Sequence, residues 1–300
     1  MNAIGDTSRA PNDPAARRDT QLARKIKEQL RERRVLPMSL FVERCLADDE
    51  HGYYRTRDVI GRGGDFTTSP EISQNFGELI GLWCAVVWQQ MGAPAKLTLV
   101  ELGPGRGTLM KDALRATAKV PGFHDALSIV LVEHSERFRA AQSRALAESH
   151  WPLQWMDDYR RLFDSAFIAA DRATIIIANE FFDALPASTL ACHGRPGQEG
   201  DQNIWIDRGV ALQGDRLIER TPVESHMADG FLDAAIDERT RRRNAYFPDA
   251  RPGDIYIEQD FSPFAEVLSR FERAAALVID YGHVEPTLGD TLQAVRDHRF

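Results

Sequence analysis

Cysteine is scarce in this chain, and the scarcity excludes whole classes of protein. Cys45, Cys84 and Cys192 are the only three in 300 residues, and no two form a C-x-x-C pair. They cannot staple a small secreted scaffold or close a zinc ribbon, and a reducing compartment suits them. Long apolar runs are missing too. The longest, LIGLWCAVVW, has ten residues, too few for a bilayer-spanning helix. Positive charge is in deficit: 37 Lys and Arg stand against 45 Asp and Glu, a net charge of −8. A nucleic-acid binder usually carries a basic face, so the balance points to solubility and, at most, a basic partner. None of the eight histidines falls in H-E-x-x-H or a similar ligand spacing, so no metal site is predicted. There is no internal repeat.

What is present is ordinary globular composition, 43% hydrophobic and 27% charged, long enough for one large α/β domain with additions or for two domains. Residues 1–16 predict a disordered terminus. The run RRDTQLARKIKEQLRERR at 17–34 is basic enough to suggest a mitochondrial presequence. Asp19, Glu28 and Glu32 interrupt it, however, and presequences avoid acids. Leu22, Ile26 and Leu30 instead make a narrow helical stripe, which predicts a surface helix docked on the domain. A short helix is expected over Ser39–Ala47, after Pro37. HGYYRTRDVIGRGGDFTTSP then runs without helical period. Ser69 as cap and Pro70 in the first turn predict a helix. It would bury Ile72, Phe76, Leu79, Ile80, Trp83 and Val87 on one face and stop near Gly92 and Pro94.

The central block alternates strand and helix. LTLVEL, SIVLVE, PLQWM and ATIIIAN read as strands, and SERFRAAQSRALAES as a helix between the second and third. This alternation predicts a mostly parallel sheet with right-handed crossovers, whose ligand sits beyond the carboxyl ends of the strands. Glu101, Glu133, Asp157 and Asn179 lie at such ends. From about Ala187 to Gly253 the pattern changes. NIWIDRGVAL and RLIER, separated by Gln-Gly-Asp, predict a hairpin, and ERTRRRN reads as a solvated charged face. SPFAEVLSRFERA, capped by Ser262 and Pro263, and ALVIDYG then return to the sheet.

The most informative stretch is LTLVELGPGRG at 97–107. An apolar strand ends in an acid, and Gly103, Pro104, Gly105 and Gly107 follow before a helix-like segment. Glycine lets a backbone turn left-handed and approach a ligand closely. The spacing E-x-G-x-G-x-G differs from the dinucleotide fingerprint G-x-G-x-x-G. It is similar to the first motif of methyltransferases that bind S-adenosylmethionine. Glu133, at the end of the next strand, is placed to accept hydrogen bonds from two ribose hydroxyls. The plainer alternative is a glycine turn kept for packing alone. After the fourth strand comes Asn179-Glu180-Phe181-Phe182-Asp183-Ala184-Leu185-Pro186. Two acids beside two aromatics would suit a guanidinium, held by charge-assisted bonds and ring stacking. The alternative is a loop whose phenylalanines enter the core and whose acids are solvated.

Taken together and in order, GDFTTSPEISQNFGELIG, VELGPGRGTLM and ANEFFDALP resemble the MidA-like family of S-adenosylmethionine-dependent methyltransferases. That family includes the mitochondrial methyltransferase that assembles respiratory complex I. PMSLFVERCLADDEHGYY and VIDYG are similar to its N-terminal and late segments. The resemblance runs from about Val35 to the end and is weakest in the insertion.

The resemblance implies a class I, Rossmann-like α/β fold, and after residues 1–16 the chain divides into four spans. Residues 17–95 would be an N-terminal helical region with a loop over the site, and 96–186 the cofactor-binding core. Residues 187–253 would be a substrate-facing α+β insertion, and 254–300 a return to the core. It implies S-adenosylmethionine as cofactor, with Glu101, Gly103, Pro104, Gly105 and Gly107 around its methionine end. Glu133 would hold the ribose, and Asp157 or Asp158 would lie near the adenine. The Asp65-Phe66-Thr67-Thr68 loop and Glu71 would cover the site, and Asn179, Glu180 and Asp183 would face the acceptor. It implies arginine methylation of a protein such as a complex I subunit, in the cytoplasm of a bacterium or the matrix of a mitochondrion. Two other readings stay open: an assembly factor that keeps the cofactor without catalysis, and a nucleotide-dependent oxidoreductase. The family continues past the point where this chain reaches His298-Arg299-Phe300. TLQAV therefore reads as an edge strand lacking its partner, either in a fragment or in a member that ends early.

Overall fold

The computed structural model describes residues 19–53, 68–147, 151–168, 171–193, 203–221 and 240–292. Residues 1–16, the Asp65-Phe66-Thr67 part of the expected covering loop, and most of TLQAV lie outside the described residues.

The chain opens with helix α1 (Gln21–Glu32), strand β1 (Leu36–Pro37) and helix α2 (Met38–Ala47), followed by a single helical turn, α3 (Ser69–Ile72), and the long helix α4 (Gln74–Gln90). Strand β2 (Leu97–Leu102), helices α5 (Thr108–Thr117) and α6 (Phe123–Ala126), strand β3 (Leu127–Val132), helix α7 (Glu136–Ala145) and strand β4 (Leu153–Met156) come next. A 3₁₀ turn at Tyr159–Asp164 leads to β5 (Ala173–Asn179). Then come β6 (Ser188–His193), β7 (Ile204–Asp207), β8 (Gly209–Gln213), β9 (Arg216–Arg220), β10 (Ile255–Glu258), helix α8 (Ser262–Ser269) and β11 (Ala274–Ile279).

Five strands form one parallel sheet in the order β11-β5-β2-β3-β4. Strands β2 and β3 are buried along their whole length, as expected of a parallel sheet covered on both faces. Leu97, Leu99, Ile129, Leu131, Ile175 and Ile177 pack on one side with α4 and α5. Val100, Leu102, Val130, Val132, Ile176 and Ala178 pack on the other with Phe182, Phe264 and Val267. From β2 the chain moves outward through β3 to β4, then returns past β2 to β5 and β11. The order reverses between β2 and β5, the position where open α/β sheets bind ligands.

Two small antiparallel sheets, β1-β8-β9 and β10-β6-β7, stand beside the main one. The expected hairpin is present as β8 and β9, but NIWIDRGVAL is not one strand. It breaks at Arg208, and β7 joins the other sheet. The Arg208 amide donates to the Thr189 carbonyl at 2.7 Å, and its own carbonyl accepts from the Met38 amide at 2.9 Å, so one buried residue ties the two sheets together. Helix α1 docks on β8 rather than on the main sheet. Ile26 and Leu30 join Leu36, Met38 and Val210 in a separate cluster, with Leu22 at its border.

Three further expectations need correction. The helix predicted from Ser69 is interrupted at Ser73, which is extended at φ −142°. Thr68 occupies the cap position of α3, with Ser69 after it. Of the predicted face, Ile80 is buried and Phe76, Trp83 and Val87 pack partly buried against the same core, but Ile72 and Leu79 are exposed at 71% and 66%, and α4 also buries Gly77, Gly81, Cys84, Ala85 and Trp88. A Cβ on Gly81 would lie 2.5 Å from the Ala113 Cα. The helices therefore meet backbone to backbone through small residues, which a search for large apolar side chains passes over. At α8, Phe261 takes the cap position in place of Ser262, and the Asp260 carboxylate accepts from the Ser262 amide. Lastly, ERTRRRN is not wholly solvated. Residues 240–246 are helical, and Arg243 is buried, donating to Glu258 at 2.5 Å. Among the described residues no helix is long and apolar enough to cross a membrane.

Candidate functional site

The turn after β2 carries three glycines in left-handed conformation, Gly103 at φ +62°, Gly105 at φ +52° and Gly107 at φ +81°. Two of them are also fixed by close packing. A Cβ at 103 would sit 2.8 Å from the Phe181 ring, and one at 107 would sit 3.3 Å from the Gln142 Cα. Pro104 is buried between them. Its carbonyl accepts from the Gly107 amide at 2.7 Å, and Gly107 caps α5. A left-handed turn at these positions strains any side chain with a Cβ.

Period-2 alternation sends Glu101, Glu133 and Asn179 to the same face of the sheet as Leu99, Leu131 and Ile177. All three sit at or just past the carboxyl ends of strands on either side of the reversal point. Glu101 is buried, and one of its carboxylate oxygens has no hydrogen-bond partner. Burial pushes its pKa up to about 8. The Asn179 side-chain amide oxygen is likewise buried and unpartnered. Such orphaned acceptors are costly unless something fills them. Glu133 accepts from the Ser135 amide at 2.8 Å and lies 3.4 Å from the Gln142 amide nitrogen. Burial raises its pKa to about 7, against the lowering effect of these bonds. Buried carboxylates with unused acceptor capacity, beside a glycine turn, fit a ligand presenting an ammonium and a ribose diol. The set of acceptors therefore matches the donors of S-adenosylmethionine.

The other sequence candidates fall in different surroundings. Asp158 accepts from the Arg160 amide at the start of the 3₁₀ turn and from its guanidinium, and the Arg160 bond holds its pKa below the usual range. Asp157 is exposed, with Arg161 at 3.3 Å. Thr68 caps α3, and Glu71 accepts from the Thr108 hydroxyl at 2.6 Å, which pins α3 to the helix that follows the glycine turn. The Ser69 amide stands 3.5 Å from the Glu180 carboxylate, a long contact that brings α3 to the β5 loop. Asp65 and Thr67 lie outside the described residues.

Glu180 holds φ +48°, a conformation uncommon for a non-glycine residue. Its amide donates to the Ile279 carbonyl at 2.8 Å, extending the β5–β11 pairing by one step. Asp183 is exposed at the loop surface, yet its carboxyl is raised to about 6, first by the desolvation of its carboxyl group against the loop and then by the like charges of Asp280 and Glu180. The phenylalanines between them do not serve as an open stacking platform. Phe182 is 2% exposed and packs on Phe261, Phe264 and Tyr159. Phe181 meets Tyr159 and Phe182 edge-on. The expectation of aromatic stacking by these rings is corrected: they belong to the core, as the plainer alternative held. Among the described residues here, Tyr281 is exposed at 77% and Phe261 at 46%.

Two residues the sequence reading did not single out complete the arrangement. Gln142, fully buried on α7, donates to the Gly105 carbonyl at 2.8 Å and accepts from Trp155. A glutamine on a helix face gives no sign of such a role. Asp280 accepts from the Phe182 and Asp183 amides at 2.9 and 3.1 Å. Its signal was available, since VIDYG ends an apolar strand in an acid just as VELGPG does.

Comparison with known proteins agrees with this geometry. A family model described as "putative S-adenosyl-L-methionine-dependent methyltransferase" matches residues 79–300. The mitochondrial protein arginine methyltransferase NDUFAF7 homolog of Drosophila melanogaster is 32% identical over 297 residues, covering 93% of this chain and 64% of that protein. Human mitochondrial protein arginine methyltransferase NDUFAF7 is 30% identical over 311 residues, covering 96% and 65%. The chain thus spans a little under two thirds of the length of these curated relatives. A Burkholderia thailandensis structure bound to S-adenosyl-homocysteine superposes with a TM-score of 0.64 at 24% identity, covering 87% of this chain and 62% of that one. A native structure from the same organism gives 0.64 at 22% identity, with 87% and 61% covered. Both likenesses show the fold.

Proposed function

The chain belongs to this family of S-adenosyl-L-methionine-dependent methyltransferases, and from that premise we propose that it methylates arginine on a protein, such as a subunit of respiratory complex I. The observation that carries the reading is the pair of buried carboxylates, Glu101 and Glu133, on one sheet face at the reversal point, with an unpartnered oxygen on Glu101.

S-adenosylmethionine supplies a methyl group already activated on a sulfonium. The residues of the chain have the remaining work. Glu101 and the glycine turn would take the ammonium end, and Glu133 the ribose hydroxyls. Asp157 or Asp158, past β4, would lie near the adenine. Alignment of donor and acceptor can lower such a barrier by ~7–11 kcal/mol in favourable cases. Glu180, Asp183 and Asn179 would face a guanidinium. Arginine arrives charged, so the transfer forms an N–C bond, breaks the C–S bond and releases one proton from the acceptor nitrogen. The Asp183 carboxylate, raised to about 6, would be ionised at neutral pH and able to accept that proton. General-base help of this kind is worth ~10²–10⁴-fold.

Calorimetry and methyl transfer test the proposal in sequence. S-adenosylmethionine should bind and NAD should not compete, which separates this reading from an oxidoreductase. Glu133→Ala should weaken cofactor binding at least roughly tenfold, because bonds to a charged group are worth about 1.5–3 kcal/mol each. Radiolabelled methyl should enter complex I purified from a strain lacking the gene, and Glu180→Gln should cut that transfer while sparing cofactor affinity. Cofactor binding without transfer by the full-length protein would favour the non-catalytic assembly factor.

A further inference from the structure

We infer that Asp280 is the positioning residue of the acceptor loop: its carboxylate clamps the Phe182 and Asp183 amides and so sets where Glu180 and Asp183 stand. The inference rests on the proposed acceptor role of those two acids.

The geometry is specific. One oxygen of Asp280 accepts both loop amides, at 2.9 and 3.1 Å, and the other accepts from the Tyr281 amide at 2.9 Å. A single side chain at the end of β11 thereby does for the β5 loop what the next rung of a ladder would do. The rung before it is the bond from the Glu180 amide to the Ile279 carbonyl. Between these two attachments Glu180 is held at φ +48°, a backbone that L residues keep only where the surroundings over-determine it. Without the Asp280 anchor the loop has no described bond to β11 beyond Glu180.

Asp280 also has an electrostatic part. The charged and titratable groups facing Asp183 are Glu180 on its own loop and Asp280 and Tyr281 from the end of β11. Among the described residues, the approach of α3 adds the Ser69 amide, directed at Glu180, with Glu71 turned toward Thr108. The like charge of Asp280 is the largest contribution after desolvation to the raised Asp183 carboxyl. An amide at 280 keeps an oxygen that can accept the same two bonds and loses the charge. Alanine loses both.

Asp280→Asn and Asp280→Ala therefore separate clamp from charge. Amide exchange at Phe182 and Asp183 should stay slow in Asp280→Asn and quicken roughly tenfold or more in Asp280→Ala, because only alanine removes the oxygen that accepts both bonds. Methyl transfer to complex I from a strain lacking the gene should show the same split. In Asp280→Ala kcat should fall about tenfold or more with cofactor Kd within about twofold. In Asp280→Asn the acidic limb of kcat/KM should move to lower pH, because the like charge beside Asp183 is gone. Slow exchange at both amides in Asp280→Ala, or equal loss of transfer in the two variants, overturns the inference. If the wild-type enzyme transfers no methyl to complex I while the exchange split appears, the arginine reading fails and the clamp stands.

Discussion

The Gln142 side chain donates to the Gly105 carbonyl at 2.8 Å, across 37 residues of sequence. This bond fixes the middle glycine of the turn from outside, by a helix that belongs to the next strand's crossover. The same side chain accepts from Trp155 and approaches Glu133, so it links the glycine turn, the acid at the end of β3 and strand β4.

Gln142→Leu should therefore disturb ligand binding without a ligand contact of its own. The Gly105 carbonyl and the Trp155 indole would each lose their partner, at a cost of about 1–3 kcal/mol per buried group. We expect a lower melting temperature and S-adenosylmethionine affinity reduced by about tenfold or more, read by calorimetry on folded protein. Unchanged affinity in a folded Gln142→Leu protein would show that Gly105 needs no such support.

Glu101 and Glu133 make the stability of the ligand-free protein depend on pH in an unusual direction. Their folded pKa values, about 8 and about 7, lie above the ordinary glutamate value of 4.5. Raised values mean that folding favours the protonated form. Their contribution is complete near pH 4.5 and below, and is lost as pH rises through about 7 and then about 8. At ~1.4 kcal/mol per unit, Glu101 accounts for a loss on the order of 3–5 kcal/mol by pH 9. Glu101→Gln should thus be more stable than wild type at pH 9, with the difference shrinking toward pH 5.5. Urea midpoints that fall in parallel for the two proteins would contradict the buried carboxylate.

Much of this was written in the sequence. β2 and β5 coincide with LTLVEL and ATIIIAN, because an apolar run bounded by turn residues has few other homes. The glycine turn and the acids at strand ends follow from the same reasoning. What escaped it depends on contacts rather than on periodicity. The buried face of α4 is marked by Gly77 and Gly81, which carry no hydrophobic signal. Strands β6 and β10 are short and pair across more than sixty residues of sequence. Gln142 and Asp280 act through hydrogen bonds that only the folded chain brings within reach.

The α4–α5 contact gives a direct test of that corrected face. Gly81→Ala gains ~1 kcal/mol of helix propensity but places its Cβ 2.5 Å from the Ala113 Cα and carbonyl oxygen. Backbone cannot rotate aside, so the helices must separate, and overpacking typically costs about 1–3 kcal/mol. We expect net destabilisation by chemical denaturation. Leu79→Ala, on the exposed side, should change stability by less than about 0.5 kcal/mol. The reverse ranking would place Leu79, rather than Gly81, against the core.

Glu180 invites a test in which stability and activity part. Asn tolerates the left-handed backbone better than Glu, so Glu180→Asn should leave stability unchanged or raise it by up to about 1 kcal/mol. Its shorter neutral side chain cannot pair with a guanidinium. Cofactor affinity should hold while methyl transfer drops. A less stable variant with full transfer would show that the strained backbone serves no acceptor role.

Asp183 carries the prediction with the most mechanism in it. Its carboxyl is held near 6 by desolvation, Asp280 and Glu180, so in the free enzyme it loses its charge as pH falls through that value. Protonated, it can neither pair with a cationic acceptor nor receive the leaving proton. For the wild type, kcat/KM for the protein acceptor should fall below about pH 6, approaching tenfold per pH unit, because this ratio reports the free enzyme's ionisations. Asp183→Asn should lower the rate by ~10²–10⁴-fold and remove that limb. The raised value also means that the charged form is disfavoured by the fold, so neutralising Asp183 should leave the protein at least as stable as wild type. The lost rate then cannot be put down to unfolding. A limb near pH 6 that survives in Asp183→Asn would assign the titration to another group, with Glu180 the next to examine.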